Sequence, residues 1–218
     1  MIKNLFALGL LGTFVFSASA EDYKPELFSS IKPVYSDDFS SGEIDLDHWQ
    51  IRQNSTWVVK EGVLTGSQSS KEFQEKRIAA GDKAHAGLKP VMWLEKVPEN
   101  LVVHFRLRYD GKEYHRKFPL IDVGHHVNTI VFGKGKTTLN LKKNTKEIVI
   151  EKQFLPLNEW VDVTIELKKG AMLLKVGDKK HLFEDPLIDM VGQQQIDFKG
   201  LDFGETMIDD VEVFEGVE

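Results

Sequence analysis

The chain has 218 residues, no cysteine and a formal net charge of −6, from 28 basic and 34 acidic side chains. A mildly acidic chain has no general attraction for nucleic acid or for anionic membranes. The absence of cysteine excludes a disulfide framework, so packing must stabilise the fold. We therefore expect a monomer with a small or neutral partner and no nucleic-acid partner.

The N-terminus has the pattern of a secretory signal peptide, residues 1–20. Lys3 gives a positive start, Leu5 to Phe16 is an apolar run, and Ala18-Ser19-Ala20 offers a small-x-small cleavage site. The run is too short to span a bilayer comfortably. We expect export to the periplasm or the exterior, without membrane insertion.

Residues 21–33 are predicted to form an extended lead-in, and residues 34–218 a single domain of short strands. Thr56 to Gly66 predicts a hairpin around Glu61-Gly62, and Leu101 to Tyr109 alternates most cleanly between apolar and polar residues. Residues 67–74 are predicted to form a polar loop, and no long helix is predicted. Short strands separated by glycine turns favour an antiparallel β-sandwich or barrel. Further strands are predicted at 34–39, 137–141, 147–151, 160–167, 171–176, 180–183, 195–198 and 207–214.

The two ends of the chain carry motifs that resemble a known superfamily. These are DDF at 37–39, Trp49, GVLTG at 62–66, GLDF at 200–203 and IDDVEV at 208–213. The pattern is similar to the concanavalin A-like (laminin G-like) jelly-roll superfamily, and more narrowly to the bacterial 3-keto-disaccharide hydrolase domain family. The resemblance covers residues 35–216.

The resemblance implies an all-β fold, a two-sheet antiparallel jelly-roll sandwich with its first and last strands adjacent. It also implies a saccharide-binding groove on the concave sheet. Two functions remain open, because one fold hosts many activities. One is an exported glycoside hydrolase, or lyase, of the 3-keto-disaccharide hydrolase type. The other is a non-catalytic carbohydrate-binding or surface-interaction module.

The stretch from His115 to Phe132 concentrates polar groups between ordinary strands. His125 with Asp122 is the candidate catalytic pair, since a histidine near a carboxylate can move protons near neutral pH. In a strand, His125 and His126 would face opposite sides, and the apolar residues after His126 favour His125 as the groove member. Gly124 could bend the strand and alter this count. The alternative is a hydrogen-bonded structural histidine.

Other polar side chains are candidates for substrate binding. His104, Arg106 and Arg108 share one face of the cleanest strand, and arginine suits uronate or sulfate groups. The alternative for this face is plain solvation. The full set of predicted substrate-binding residues is His104, Arg106, Arg108, His115, Lys117 and His126.

No cofactor is required by this hypothesis, and the aspartates at the two ends of the chain leave a structural calcium ion open. Asp38 near the first strand and Asp210 near the last would be neighbours in the resembled fold, and carboxylates suit calcium. The alternative is that these aspartates cap strands and pair with turn amides. A catalytic metal site from His104, His115, His125 and Asp122 lacks the tight ligand spacing of known motifs.

Glu43, Asp45 and Asp47 alternate as the catalytic carboxylates of family-16 glycoside hydrolases do. Such carboxylates must lie two residues apart in a strand to share one face. Here the segment directly precedes a capped turn at Trp49. We therefore interpret it as a solvated turn.

Overall fold

The computed structural model describes residues 23–190 and 192–218. The predicted signal peptide, residues 1–20, lies outside the described residues. The helical segments are α1 (Lys71–Ala79) and a 3₁₀ turn (Lys83–His85). The strands are β1 (Ser30–Asp37), β2 (Trp49–Ile51), β3 (Thr56–Lys60), β4 (Val63–Ser67), β5 (Val91–Glu95), β6 (Leu101–Asp110), β7 (Leu120–Val123), β8 (Asn128–Gly133), β9 (Lys136–Leu141), β10 (Lys146–Ile150), β11 (Val161–Lys168), β12 (Ala171–Val176), β13 (Lys179–Glu184), β14 (Gln195–Lys199) and β15 (Glu205–Val217).

These strands form two antiparallel sheets, which confirms the predicted two-sheet jelly-roll sandwich. In the described part of the chain, sheet 1 has eight strands in the order β13-β12-β11-β6-β15-β4-β3, with β1 also paired to β15. Sheet 2 has seven, in the order β10-β9-β8-β7-β14-β5-β2. The first and last strands of the fold, β1 and β15, are therefore adjacent, as the resemblance implied.

The core lies between the sheets and is built from alternate residues of each strand. Leu101, Val103, Phe105 and Leu107 of β6 are fully buried, because residues two apart share a face. The Phe105 ring of sheet 1 packs edge-on against Phe198 of sheet 2, with centroids 5.2 Å apart. Burying one such ring contributes about 1.5–3 kcal/mol. Each strand therefore presents its other residues on an outer face.

The helix α1 differs from the sequence prediction, which placed a polar loop over residues 67–74. The Ser70 side chain caps the helix by accepting a hydrogen bond from the Phe73 amide at 3.3 Å. Gln74 is its one buried residue, so the helix lacks the apolar stripe by which amphipathic helices are recognised. Among the described residues, no helix has the length and apolar character to cross a membrane.

The lead-in is more ordered than the sequence predicted, and β1 begins at Ser30 rather than at Val34. Before β1, the chain lies on the outer face of sheet 1. The buried Glu166 carboxylate accepts hydrogen bonds from the Leu27 amide at 2.7 Å and from the Tyr23 hydroxyl at 2.6 Å. A buried carboxylate needs such donors, so Glu166 fixes the lead-in on the sheet.

Candidate functional site

The outer face of sheet 2 holds two aspartates that are fully buried although they point away from the core. Ile121 and Val123 of β7 belong to the core, so Asp122 between them faces outward. Asp197 of β14 lies directly opposite Asp122 in the antiparallel register. Both carboxylates are 0% exposed. Burial of two charged groups requires close partners, and these partners define the candidate site.

Each aspartate has a histidine beside it. His125 Nδ1 lies 3.0 Å from Asp197 Oδ2. The His126 amide donates to Asp122 Oδ2 at 2.8 Å, and His126 Nδ1 lies 3.3 Å from the same oxygen. The two imidazole centroids are 4.3 Å apart. The carboxylate hydrogen-bonded to His125 is therefore that of Asp197, while Asp122, its predicted partner, contacts His126 and lies within 4.8 Å of the His125 ring nitrogen.

A tight turn rather than a strand positions the histidines. Residues 124–127, here called the histidine turn, join β7 to β8. Gly124, His125 and His126 all have positive φ, at 84°, 45° and 72°. Such backbone is uncommon for residues other than glycine and often marks a functional site. Because the strand alternation stops at Val123, the two rings lie close together instead of on opposite faces.

Exposure contradicts the expectation that His126 begins a buried face. The His126 side chain is 49% exposed and that of His125 is 28% exposed. The next buried polar residue is Asn128, whose amide donates to the Val123 carbonyl at 3.0 Å. The structure therefore presents two accessible imidazoles above two inaccessible carboxylates.

Lys199 of β14 balances the charge of the aspartates. Its Nζ lies 3.0 Å from Asp197 Oδ2 and 3.7 Å from Asp122 Oδ2. Burial alone would raise the pKa of Asp122, but hydrogen bonding to His126 and the charge of Lys199 outweigh it and hold that pKa below its usual range. The Gln195 amide also donates to Asp197. Asp122 is therefore an anion that the surrounding groups stabilise.

An aromatic side chain closes the site toward β5. The Trp93 ring meets the His125 ring edge-on with centroids 4.9 Å apart. The Arg52 guanidinium lies 3.8 Å from the centroid of the Trp93 ring, in a cation–π contact. Among the described residues, the buried Trp93 Nε1 has no hydrogen-bond acceptor. Trp93 and Arg52 thus form a flat wall beside His125.

On the other side, a groove of about 620 Å³ begins at His126 and runs over β8 and β9. Its floor includes Thr129, Thr138 and Asn140, and Thr129 also donates to Asp122 at 2.9 Å. The loop between β6 and β7 forms one wall. Three predicted substrate-binding residues line this groove, namely His115, Lys117 and His126.

The other three predicted binding residues lie elsewhere. His104, Arg106 and Arg108 are on β6, so their side chains are on the outer face of sheet 1, across the core from the histidine turn. Each already has a protein partner: His104 contacts Thr164 at 3.1 Å, and Arg108 pairs with Asp110 at 2.7 Å. A single groove holding these residues and His125 is therefore not formed. The sequence could not reveal which sheet holds β6, because that depends on the order of the strands in the fold.

The chain segments that carry Asp38 and Asp210, predicted to bind calcium, are adjacent, since the neighbouring Asp37 pairs with Val211 in the register of β1 and β15. Arg106 Nη1 is 3.5 Å from Asp209 Oδ2 and 3.6 Å from Asp210 Oδ2. Burial and the Asp210 charge raise the pKa of Asp209, and Asp38 adds a smaller effect of the same sign. The Asp38 carboxylate accepts from the Ser40 amide at 3.0 Å. Calcium binding by Asp38 and Asp210 stays a prediction, which a thermal midpoint measured with calcium and after chelation would test.

A second metal set is offered by the site itself. Asp122, His125 and His126 each provide a ligand atom, and these atoms lie within 4.8 Å of one another. Among the described residues, this is the one cluster of three or more such side chains close enough to hold a metal ion. Imidazole and carboxylate ligands suit zinc and related ions. The Lys199 cation lies against the same aspartate and competes for it. The other set, which the sequence disfavoured for lack of ligand spacing, is not assembled, since His104 is on the other sheet.

The alternating carboxylates at residues 43–47 form a turn, as interpreted. Asp45 Oδ1 accepts from the Asp47 amide at 3.0 Å, and Asp45 Oδ2 lies 2.7 Å from His48 Nδ1. The residues of the candidate site that the sequence did not single out include Asp197 and Lys199. Their signal was the alternation of polar and apolar residues in Gln195–Lys199.

Comparisons with known proteins show the fold. No protein-family model and no curated protein sequence matched the chain. Among solved structures, a cellulose-induced protein matches with a TM-score of 0.59 at 13% identity, over 83% of this chain and 96% of that one. An endo-β-galactosidase from Clostridium perfringens that releases GlcNAcα1-4Gal matches with a TM-score of 0.60 at 11% identity, over 90% of this chain and 66% of that one. A family-16 glycosyl hydrolase protein from Mycobacterium smegmatis matches with a TM-score of 0.55 at 10% identity, over 84% and 100%.

These similarities place the chain in the class of jelly-roll β-sandwiches. At such low identity they establish architecture and not activity. The chemistry must therefore be argued from the histidine turn and the groove beside it.

Proposed function

We propose that this is an exported saccharide-active protein that cleaves glycosides of the 3-keto-disaccharide type at the histidine turn. The observation that supports this most directly is the pair of accessible imidazoles, His125 and His126, each beside a fully buried aspartate. The groove that begins at His126 is large enough for sugar rings. Solved structures of similar fold include two named glycoside-cleaving proteins.

The arrangement favours proton transfer over nucleophilic attack by a carboxylate. Asp122 and Asp197 are fully buried, and both lie near Lys199. A glycosidase nucleophile must instead reach the sugar. The accessible groups are the imidazoles, which serve as general acids and bases near neutral pH. The aspartates then act as positioning residues that fix the orientation of each ring.

Cleavage of a 3-keto-glycoside needs only proton transfers of this kind. A ketone at the third carbon acidifies the hydrogen on the second, and a base that removes this hydrogen can expel the oxygen on the first carbon. One carbon–hydrogen and one carbon–oxygen bond break, a carbon–carbon double bond forms, and the leaving oxygen takes a proton. Water then adds across the double bond. His125 and His126, with centroids 4.3 Å apart, supply one base and one acid for this sequence.

The test is turnover of a 3-keto-glycoside beside its unoxidised parent, followed by release of the free sugar. His125→Asn and His126→Asn are the informative variants, because asparagine tolerates positive φ and keeps the turn. We expect each to lower kcat by about 10²- to 10⁴-fold with little change in thermal midpoint. His181→Asn is the matched control, since His181 lies on β13 of sheet 1 and packs against Phe183.

Wild-type turnover in both variants would contradict the proposal. Binding of the sugar that raises the thermal midpoint, without any product, would instead favour the non-catalytic carbohydrate-binding module. Export has its own test, since N-terminal sequencing of the mature protein should begin at Glu21.

A further inference from the structure

The groove differs in charge from the rest of the protein. Five lysine and arginine side chains line it, against the single carboxylate of Glu147, although the whole chain has a net charge of −6. A local excess of one sign inside a concave surface focuses the electrostatic field on whatever binds there. The basic side chains are Arg116, Lys117, Lys134, Lys136 and Lys143.

Three separate connections bring these cations together. Arg116 and Lys117 come from the loop between β6 and β7, Lys134 and Lys136 from the hairpin of β8 and β9, and Lys143 from the turn between β9 and β10. All five side chains are exposed. Within the part of the chain that the structure describes, the ion pairs of lysine and arginine all involve other residues. The positive charge of the rim is therefore not neutralised by the protein itself.

The floor of the groove has a different character from its rim. Thr129, Thr138 and Asn140 offer neutral hydroxyl and amide groups, and Leu120 and Val131 offer apolar surface. Neutral hydrogen-bonding groups with apolar patches suit the hydroxyls and carbon faces of a sugar ring. Cations at the rim suit a carboxylate or sulfate attached to that ring. The two layers together match a sugar that carries negative groups.

We propose that the groove binds an acidic saccharide, one bearing uronate or sulfate groups, in preference to a neutral one. This rests on the proposed function, because it names the substrate class of the same site. It also revises the expectation of a neutral partner, which followed from the net charge of the whole chain. Net charge averages over the surface, whereas a ligand responds to charges within about 8 Å at physiological ionic strength.

The experiment measures binding by calorimetry to two matched pairs of ligands. Oligogalacturonate is compared with its methyl ester, which tests uronate, and dextran sulfate with dextran, which tests sulfate. At least one acidic member should bind at least about fivefold more tightly than its neutral partner, the upper range for one exposed ion pair. Its binding should also weaken as salt is raised.

Two double charge reversals locate the effect. Lys134→Glu/Lys136→Glu should weaken binding of the acidic ligand at least about tenfold and leave the neutral ligand within about twofold. Lys24→Glu/Lys60→Glu changes the net charge equally with two exposed residues away from sheet 2, and should alter acidic binding less than about twofold. Thermal midpoints confirm that both variants fold.

The outcomes separate this inference from the function on which it rests. Equal binding of acidic and neutral saccharides would overturn the acidic preference and leave saccharide binding intact. No binding of any of the four saccharides would also overturn the acidic preference, and turnover of the 3-keto-glycoside would then decide the proposed function separately. A short single-stranded oligonucleotide is the last probe, and binding as tight as that of the best saccharide would also overturn the inference, since it would show a site for any polyanion.

Discussion

Asp122 and Asp197 face each other across β7 and β14 as direct register partners, both are fully buried, and Lys199 Nζ lies within 3.7 Å of each carboxylate. Two like charges so placed repel each other strongly unless a cation lies near both. Lys199 is thus the group that permits two anions beneath the histidine turn.

Lys199→Met should destabilise the protein by about 3 kcal/mol at neutral pH, because it leaves two buried carboxylates without their cation. The charge of Lys199 helps to hold the pKa of Asp122 low, so its loss should raise that pKa and the deficit should shrink as the solution is acidified. Denaturant unfolding at several pH values measures this. Lys175→Met is the control: its partly exposed ion pair with Glu26 should cost less than about 1 kcal/mol. An equal loss in both variants would contradict the role of Lys199.

Asp122→Asn should lower the free energy of unfolding by about 1–3 kcal/mol at pH 7. The pKa of Asp122 is below its usual range in the folded protein. A depressed pKa contributes stability that is present above the unfolded value and lost as pH falls through the folded one. The difference between wild type and variant should therefore narrow below about pH 4. A difference that stays constant with pH would assign the loss to packing alone.

Local features of the fold could be predicted from the sequence, because turn residues and the alternation of polar and apolar residues determine them. The hairpin of β3 and β4 was predicted at Glu61-Gly62, and both residues have the positive φ of a tight turn, 54° and 77°. The alternation of β6 predicted its core positions, although Val102 on its other face is also buried, against Phe28 of the lead-in. Motifs at the two ends predicted that the first and last strands are neighbours.

The candidate site could be predicted from the sequence only in part, because it is assembled by pairing between strands that are far apart in the chain. His125 and Asp197 are 72 residues apart in sequence, and no local pattern shows that β14 lies beside β7. The two adjacent histidines were assigned to opposite faces, since the positive φ of His125 and His126 is invisible in a strand-like sequence. The alternation correctly placed Arg106 and Arg108 on one face of their strand, but the sequence could not show to which sheet that strand belongs.

Gly124→Ala tests whether the histidine turn must keep its geometry. Gly124 has φ of 84°, and an added Cβ would lie 3.4 Å from Met190 Sδ and 3.4 Å from Val127 Cβ. We expect a stability loss of about 1–2 kcal/mol together with reduced turnover. Gly170→Ala is the control, since its φ of 85° imposes the same strain in open space, in the turn between β11 and β12 of sheet 1. Equal turnover in the two variants would show that the turn tolerates a shift.

Glu166→Gln tests how the lead-in is attached to sheet 1. The carboxylate accepts hydrogen bonds from the Glu26 and Leu27 amides and the Tyr23 hydroxyl, and hydrogen bonds to a charged group contribute about 1.5–3 kcal/mol each. The amide keeps one acceptor oxygen but presents an N–H group where the protein offers only donors. Hydrogen exchange should therefore become faster at residues 26–29, while the amides of β7 and β14 stay protected because they lie on the other sheet. Uniformly faster exchange would mean that Glu166 supports the whole sandwich. Unchanged exchange at residues 26–29 would mean that the lead-in is held instead by the apolar contacts of Phe28 with Val102 and Phe214.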